Sequence, residues 1–315
     1  MNTIKFSKKQ NISTEQHDLE MVELKDVTLF GTDIILYKPC NVNIFVTEIC
    51  NNNCSFCINK MTNKCMKMQS MTDNEYFYGL ETLLKNLNNN DFEITITGGE
   101  PTLNMKKFVE TIHLCNYYHF KCRTVSTTGK NLLNIFNGKH ICQYMIEENF
   151  IHNINISRMH YNENKNAEVF QGINITNDEI EKLSTFFKLN DAEMRISCNL
   201  LNKYIDNFPK MLEFVDFYKN IGVDTIMFRE LVGCNNIKLN SLIFNNLQEF
   251  KYLKTLHGLV YDVDVYEYKD MIVKHYKTLN LINKDIIYSL SYKNGFIIDG
   301  FNGNKLTIDL IKEIN

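Results

Sequence analysis

From about residue 42 the sequence alternates between short runs of β-forming residues and longer amphipathic runs, and this alternation restricts the fold more than any other feature. The short runs cover residues 42–47, 92–97, 122–127, 152–157, 194–200 and 224–230. Apolar residues at helical spacing lie between them, as with Phe77, Leu80 and Leu84. The pattern is typical of βα units arranged around a parallel sheet.

Several of the predicted strands are apolar on one side and polar on the other. Ile94 and Ile96 alternate with Thr95 and Thr97, and residues 153–157 repeat the pattern. A parallel sheet covered on both faces reads as continuous apolar residues, and an ordinary closed barrel fills its interior with bulky branched side chains. We therefore predict that the apolar face packs on helices and that the polar face lines a cavity for a polar ligand. A half-solvated antiparallel sheet is the alternative.

Length and charge restrict the class of protein further. The 315 residues, 44% of them hydrophobic, are enough for one large core. A formal net charge of −3 does not favour binding to nucleic acid or to an anionic membrane. The N-terminus lacks the apolar stretch of a secretion signal, and no segment approaches the roughly 18 uninterrupted apolar residues of a membrane span. We therefore expect a cytoplasmic protein with no membrane or nucleic-acid partner, in which cysteines are thiols or metal ligands.

Three cysteines follow the first of these predicted strands within eight residues. Cys50, Cys54 and Cys57 have the spacing CxxxCxxC, and such closely spaced thiolates suit a soft metal centre. A closed zinc site requires a fourth ligand, and Cys65 is a candidate at a spacing that matches no familiar zinc finger. Three ligands on a four-iron, four-sulfur (4Fe–4S) cluster instead leave one iron open to a substrate or cofactor.

This loop, with Phe56 before its last cysteine and a βα series around it, resembles the radical S-adenosylmethionine (SAM) superfamily over about residues 40 to 235. The resemblance implies an α/β fold, namely an incomplete, TIM-like (β/α)6 barrel with the site at the carboxyl ends of its strands. It also implies one 4Fe–4S cluster, held by the three cysteines, whose open iron is chelated by SAM. An electron from the cluster then breaks a carbon–sulfur bond, and the 5′-deoxyadenosyl radical abstracts hydrogen from the substrate. The implied electron donor is a protein such as a flavodoxin or a ferredoxin.

A second segment strengthens the resemblance. Gly98, Gly99, Glu100 and Pro101 end the second predicted strand and are similar to the GGEP segment that binds the amino group of SAM in this superfamily. Glycines let the backbone approach a ligand closely, carbonyl and carboxylate oxygens accept hydrogen bonds from an ammonium, and proline is favoured in the first turn of a helix. An ordinary strand-to-helix turn is the alternative.

The resemblance assigns further cofactor contacts to later strands. Besides Phe56 and the GGEP segment, these are Thr128, Ser157, Arg195 and Asn199. A guanidinium binds a carboxylate through two hydrogen bonds, and an amide both donates to and accepts from ribose hydroxyls. Arg158, which follows Ser157, is a further candidate. For both Arg158 and Arg195 the alternative role is pairing with acidic side chains. The sequence assigns no catalytic residue beyond these contacts.

The sequence suggests three parts. Residues 1–40 form an N-terminal extension, residues 41–235 the partial barrel, and residues 236–315 a helical linker followed by a small β-rich cap. Many peptide-modifying members of the resembled superfamily carry a cysteine-rich C-terminal extension that binds further clusters. No cysteine follows Cys234 here, so the resemblance implies a single cluster.

We therefore expect a radical SAM enzyme that modifies an unidentified polar small molecule. One alternative is a peptide-modifying maturase, which a neighbouring gene for a short precursor peptide would favour. An alternative of another class is a non-catalytic zinc or iron–sulfur protein, which leaves the GGEP segment and the barrel pattern unexplained.

Overall fold

The computed structural model describes most of the chain. The described residues are 23–59, 71–87, 91–120, 123–147, 151–231, 249–257, 261–278, 286–300 and 306–311. Residues 1–22 of the predicted N-terminal extension lie outside them, as do Cys65 and Cys234.

The described residues form fifteen strands and six α-helices. The strands are β1 Glu23–Leu29, β2 Thr32–Phe45, β3 Phe92–Thr97, β4 Arg123–Thr127, β5 Ile135–Phe136, β6 Lys139–His140, β7 Asn153–Ser157, β8 Glu193–Asn199, β9 Thr225–Arg229, β10 Lys251–Leu256, β11 Tyr261–Tyr268, β12 Met271–Thr278, β13 Ile286–Lys293, β14 Phe296–Asp299 and β15 Thr307–Asp309. The helices are α1 Asp73–Asn86, α2 Met105–Tyr117, α3 Ile141–Ile146, α4 Glu163–Phe170, α5 Asn177–Lys188 and α6 Phe208–Asn220. A short 3₁₀ turn covers Pro101–Leu103.

Six parallel strands form the centre of the molecule. They run in the order β9-β8-β7-β4-β3-β2, and each pairs in parallel with its neighbour. Parallel neighbours need crossover connections, which the helices between them supply. This arrangement confirms the predicted partial (β/α)6 barrel. The predicted strands match these six closely, except that β2 begins at Thr32, ten residues before the predicted start, because its first half pairs with β1 as a hairpin.

The C-terminal strands continue this sheet at both of its ends. At one end β12 pairs in parallel with β9, and β10 and β11 extend it in antiparallel order. At the other end β13 pairs in parallel with β2, followed by β14 and β15. The barrel and the β-rich C-terminal segment therefore share one thirteen-stranded sheet. The boundaries proposed at residues 40 and 235 stay predictions.

Burial along the strands follows the predicted alternation. In β8, Met194, Ile196 and Cys198 are buried, whereas Arg195 and Ser197 are partly exposed. The buried side chains belong to the core cluster that also contains the apolar faces of the helices. Full burial of a Leu or Ile side chain contributes about 1.5–3 kcal/mol, so the apolar face fixes which side of the sheet the helices cover.

The helices begin where short polar side chains cap them. Thr72 and Thr176 accept hydrogen bonds from the backbone N–H groups of Glu75 and Glu179, and each glutamate bonds back to the threonine N–H. This reciprocal capping satisfies N–H groups that a helix leaves unpaired at its start. None of the helices in the described ranges is long and apolar enough to cross a membrane.

A buried tyrosine joins the C-terminal half of the sheet to the first helix. The Tyr292 hydroxyl donates a hydrogen bond of 2.6 Å to the Tyr76 carbonyl, and their rings lie 5.3 Å apart. Gly79 makes room for this hydroxyl, because a Cβ atom there would lie 2.6 Å from Tyr292 Oη.

We predict that Tyr292→Phe lowers the free energy of unfolding by about 1 kcal/mol, because one buried hydrogen bond is lost while the ring is kept. Tyr117→Phe is the control, since Tyr117 is 73% exposed, and is expected to change stability by less than about 0.5 kcal/mol. Urea unfolding followed by circular dichroism measures both. Equal effects of the two variants would contradict the assigned role of the Tyr292 hydroxyl.

Candidate functional site

The cysteine loop lies where β2 and β3 end. Because these strands are parallel, their carboxyl ends meet at the same edge of the sheet. Beyond the paired strands, the Val46 N–H donates to the Thr97 carbonyl at 3.0 Å and the Gly99 N–H donates to the Thr47 carbonyl at 2.7 Å. The Glu100 N–H donates to the Ile49 carbonyl at 2.9 Å. The backbone that leads into the cysteines is thus hydrogen-bonded to the predicted GGEP segment.

Two glycines make this approach possible. A Cβ atom at Gly98 would lie 2.3 Å from the Thr47 carbonyl oxygen, and one at Gly99 would lie 2.3 Å from the Ile49 carbonyl oxygen. Gly98 also has a φ of +155°, which disfavours a residue with a side chain. Contact with the facing backbone therefore requires glycine at both positions, even without a bound ligand.

The opposite side of the loop packs on the turn that ends α4, a contact the sequence did not predict. The Asn53 N–H donates to the Phe170 carbonyl at 2.9 Å, and Cys54 Sγ lies 3.7 Å from the same oxygen. Phe56 meets the Phe170 ring edge-on at 6.1 Å. A Cβ atom at Gly172 would lie 2.2 Å from Asn52 Oδ1. Phe56, expected as a cofactor contact, thus helps to anchor the loop. The one hint of this close packing in the sequence is the glycine at position 172.

None of the three cysteines is in a disulfide bond with another described residue. Cys54 is buried, and Cys50 and Cys57 are partly exposed. The Asn52 N–H lies 3.4 Å from Cys50 Sγ, and hydrogen bonds to sulfur are among the features that tune an iron–sulfur cluster. Over the described ranges, no three His, Cys, Asp or Glu side chains are placed to hold a single metal ion. A four-iron cluster does not require such convergence, because each thiolate binds a different iron. The donor set, on a loop anchored from two sides, fits this group.

The predicted cofactor ligand Glu100 has a structural role. Its side chain is fully buried, and its Oε1 accepts hydrogen bonds from the Thr127 and Thr102 hydroxyls at 2.6 and 2.7 Å. Its Oε2 accepts from the Thr128 backbone N–H and hydroxyl, each at 2.7 Å. The carboxylate therefore ties the end of β3 to the end of β4. Pro101 starts the 3₁₀ turn behind it, as expected of a proline at that position. Contact of Glu100 or Thr128 with SAM stays a prediction.

A polar cavity of about 290 Å³ opens beside this loop. Side chains from β3, β4, β7 and β8 line it, namely Thr95, Thr97, Ser126, Asn155, Ser157 and Ser197. Ile58, Asn59 and Gly98 form the part of its wall next to the cysteines, and the Asn59 amide donates to the Gly98 carbonyl at 3.1 Å. The alternation that predicted a polar lumen is borne out by this lining.

Of the predicted cofactor contacts, Gly98 and Ser157 line this cavity, and the others do not; among the latter are Arg195 and Asn199 of β8. Arg195 hydrogen-bonds to Glu193 and Asn153 near the amino ends of their strands. Burial disfavours ionisation of Glu193, but hydrogen bonds from Arg195 and Thr225 outweigh it and lower the pKa of this carboxyl. Arg195 thus pairs with an acid, the alternative noted from the sequence. A role for Arg195 or Asn199 at the cofactor stays a prediction.

Arg158 is also held by the protein. It is fully buried and donates to the Tyr218 hydroxyl at 2.8 Å, to the Ile175 carbonyl at 2.7 Å and to Asn177 Oδ1 at 2.8 Å. Its neighbour Ser157 faces the other side of the strand and lines the cavity. Because side chains alternate along an extended chain, Arg158 supports the structure on one face and Ser157 is a candidate binding residue on the other.

Comparison with known proteins agrees with this geometry. Residues 44–181 match the sequence model of the Radical SAM superfamily. A curated relative, the S-adenosylmethionine-dependent nucleotide dehydratase of Fibrobacter sp. (strain UWH6), is 25% identical over 236 residues, which cover 69% of this chain. The chain spans 65% of that relative's length.

Solved structures show a weaker likeness. One, described as a histidine-tagged anSMEcpe with bound AdoMet, has a TM-score of 0.42 at 18% identity and covers 60% of this chain and 49% of its own. Methylornithine synthase has a TM-score of 0.42 at 12% identity and covers 61% of this chain and 53% of its own.

We predict that Gly99→Ala disrupts the cysteine loop, because the added methyl group meets the carbonyls of Glu48 and Ile49 at 2.5 and 2.3 Å. Overpacking of this kind costs about 1–3 kcal/mol, and we expect lower iron incorporation on reconstitution together with a lower unfolding temperature. Gly138→Ala is the control, because a Cβ atom there meets no atom within 4 Å. The φ of Gly138 is +82°, a backbone strain that Gly99→Ala does not carry, so a larger loss in Gly99→Ala reports the collision with the facing carbonyls. Full iron incorporation by Gly99→Ala would show that the close approach is not required.

His160, three residues after Ser157, is buried with a specific hydrogen bond. Its Nδ1 accepts from the Asn162 N–H at 3.0 Å, which requires the neutral ring. Burial, reinforced by the positive charges of Lys165 and Lys210, lowers the pKa of His160 to about 4.

We predict that His160 makes stability depend on pH. Because its folded pKa lies near 4, below the unfolded value of about 6.5, its contribution is complete above pH ~6.5 and is lost as pH falls towards 4. His160→Gln should therefore flatten the dependence of the unfolding free energy on pH in that window, relative to the exposed control His113→Gln. Urea unfolding at a series of pH values measures it, and identical slopes for the two variants would contradict the assignment.

Proposed function

We propose that this chain is a radical SAM enzyme, one that uses a 4Fe–4S cluster to cleave SAM reductively and so starts radical modification of a polar small molecule. One observation carries this proposal: the cysteine loop and the Gly98 turn adjoin one polar cavity at the carboxyl ends of the parallel strands. Ligands of such sheets bind at that edge.

The residues of the loop have distinct roles in this proposal. Cys50, Cys54 and Cys57 would hold the cluster, with the loop fixed between the Gly98 turn and Phe170. A cluster held there supplies the electron that cleaves SAM and so generates the radical that abstracts hydrogen from substrate. Gly98 lines the cavity, and its carbonyl accepts one hydrogen bond from Asn59. The second lone pair of this carbonyl would suit an ammonium donor.

The cavity wall suits a substrate rich in hydroxyl or phosphate groups. Asn155 donates to Ser126 at 3.4 Å, whereas its Oδ1 is buried and accepts no hydrogen bond from the described residues. A buried acceptor without a partner costs about 1–3 kcal/mol, which a substrate hydroxyl or amino group would recover. Because the curated relative is named as a nucleotide dehydratase, we propose nucleotides as the first substrates to test. A flavodoxin or ferredoxin as electron donor and a cytoplasmic location stay predictions.

We predict that anaerobically reconstituted protein binds about four irons and, with a reductant, releases 5′-deoxyadenosine from SAM. Cys54→Ala should abolish both, because two thiolates do not hold the cluster. Iron analysis, visible absorption and chromatography of the products measure the outcome.

Cys198→Ala is the matched control, since Cys198 is fully buried on the apolar side of β8 and burial raises the pKa of its thiol. It should keep both properties. Colourless protein with stoichiometric zinc and no effect of SAM would instead establish the non-catalytic metal protein.

A further inference from the structure

Arg229 ends β9 and lines the cavity without an acidic partner. Its guanidinium lies 4.1 Å from the centre of the Tyr276 ring, and its one hydrogen bond within the described residues is a weak contact of 3.9 Å to Met227 Sδ. No carboxylate of the described residues lies within ion-pair distance of it. The neighbouring Glu230 is directed to His275, at 3.2 Å. Arg229 therefore presents several N–H donors to the cavity.

Further basic side chains lie on the same face of the sheet as Arg229, next to the cavity and outside its lining. The strand register places Lys274 of β12 beside Met227, on the same face as Arg229. Lys274 and Arg195 share a single acid, Glu193. Burial, reinforced by Arg195, lowers the pKa of Lys274. Lys254 adds positive charge near Lys274, so several basic side chains lie close to the cavity beside the single acid Glu193, and such a field attracts anions into a cleft.

Next to the far side of the cavity, behind the lining residue Phe45, a lysine is paired with an acid. There Lys293 lies 5.4 Å from the centre of the Phe45 ring and is paired with Glu48. This side belongs to β2 and leads into the cysteine loop, whereas β9 is the sixth strand of the series. The uncompensated charge thus lies across the sheet from the proposed cluster.

We propose that Arg229 binds an anionic group of the substrate, a carboxylate or a phosphate, with Ser157, Ser197 and Asn155 beside it to bind neighbouring hydroxyl groups. The inference deepens the function proposed above, on which it rests, by assigning an anionic substrate and the residue that selects it. Stacking on Tyr276 keeps the planar guanidinium in place, and a preorganised fork binds an anion through two parallel hydrogen bonds.

SAM also carries a carboxylate, so the same chemistry has a second possible source. In this superfamily the amino and carboxylate groups of SAM chelate the open iron, which places them on the β2 side, at the cysteine loop. The two sources are separable, because loss of Arg229 should weaken binding of a substrate-like anion and leave SAM binding unchanged.

The test uses the full chain, reconstituted and saturated with SAM, and isothermal titration with inorganic pyrophosphate and with malonate. We expect the native protein to bind at least one of them, Arg229→Gln to bind it about tenfold to a hundredfold more weakly, and Arg229→Lys to be intermediate. Lys251→Gln is the matched control, since Lys251 is a cation with a 73% exposed side chain, and should bind as the native protein does. SAM affinity is measured for every variant.

Three results would overturn the inference. These are no binding of either anion to the native protein, equal loss in Arg229→Gln and Lys251→Gln, or a loss of SAM affinity in Arg229→Gln, which would assign Arg229 to the carboxylate of SAM. A failure of the proposed function looks different, because native protein would then release no 5′-deoxyadenosine whatever its affinity for anions.

Discussion

The site depends on the close contact between two stretches of backbone, residues 47–49 and the Gly98–Gly99 turn. Strand pairing brings them together, and the hydrogen bond from the Gly99 N–H to the Thr47 carbonyl continues the pairing beyond the last ladder residue. A side chain at either glycine would collide with a carbonyl of the facing backbone. The position of the cysteine loop is therefore set by main-chain geometry, which is stiffer than contacts between long side chains.

The buried Glu100 extends this rigidity to the next strand. A carboxylate with no exposure is costly unless its oxygens are fully hydrogen-bonded, and five donors from Thr102, Thr127 and Thr128 satisfy it here. The GGEP segment thus joins three roles in adjacent residues: a close backbone approach, a buried brace between β3 and β4, and a proline that starts the following turn. A motif first interpreted as a ligand contact is also a folding element.

The sequence predicted what depends on local pattern. The period of two in β3, β7 and β8 identified both the strands and the polar lumen, because burial of one face selects alternate residues. It did not predict the packing of Phe170 and Gly172 on the cysteine loop, since this contact joins segments more than 110 residues apart and has no periodic signature. The sequence left two roles open for Arg195, a cofactor contact or a pair with an acid. Glu193 lies two residues before it on the same face of β8, and the structure shows that Arg195 bonds this acid.

The placement of the C-terminal strands explains why substrate preference is hard to infer from the barrel alone. Tyr276 and Lys274 come from β12, which follows the sixth barrel strand in space but not at the regular spacing of the βα units. They nevertheless set the surroundings of Arg229, one as an aromatic support and one as a further cation. The cysteine loop and the Gly98–Gly99 turn lie within the superfamily match at residues 44–181. The opposite wall of the cavity ends with Arg229 on β9 and is supported by β12, and both of these strands lie outside that match. In the proposed function, the residues that would hold the cluster and the arginine that would select the substrate therefore lie in different parts of one sheet.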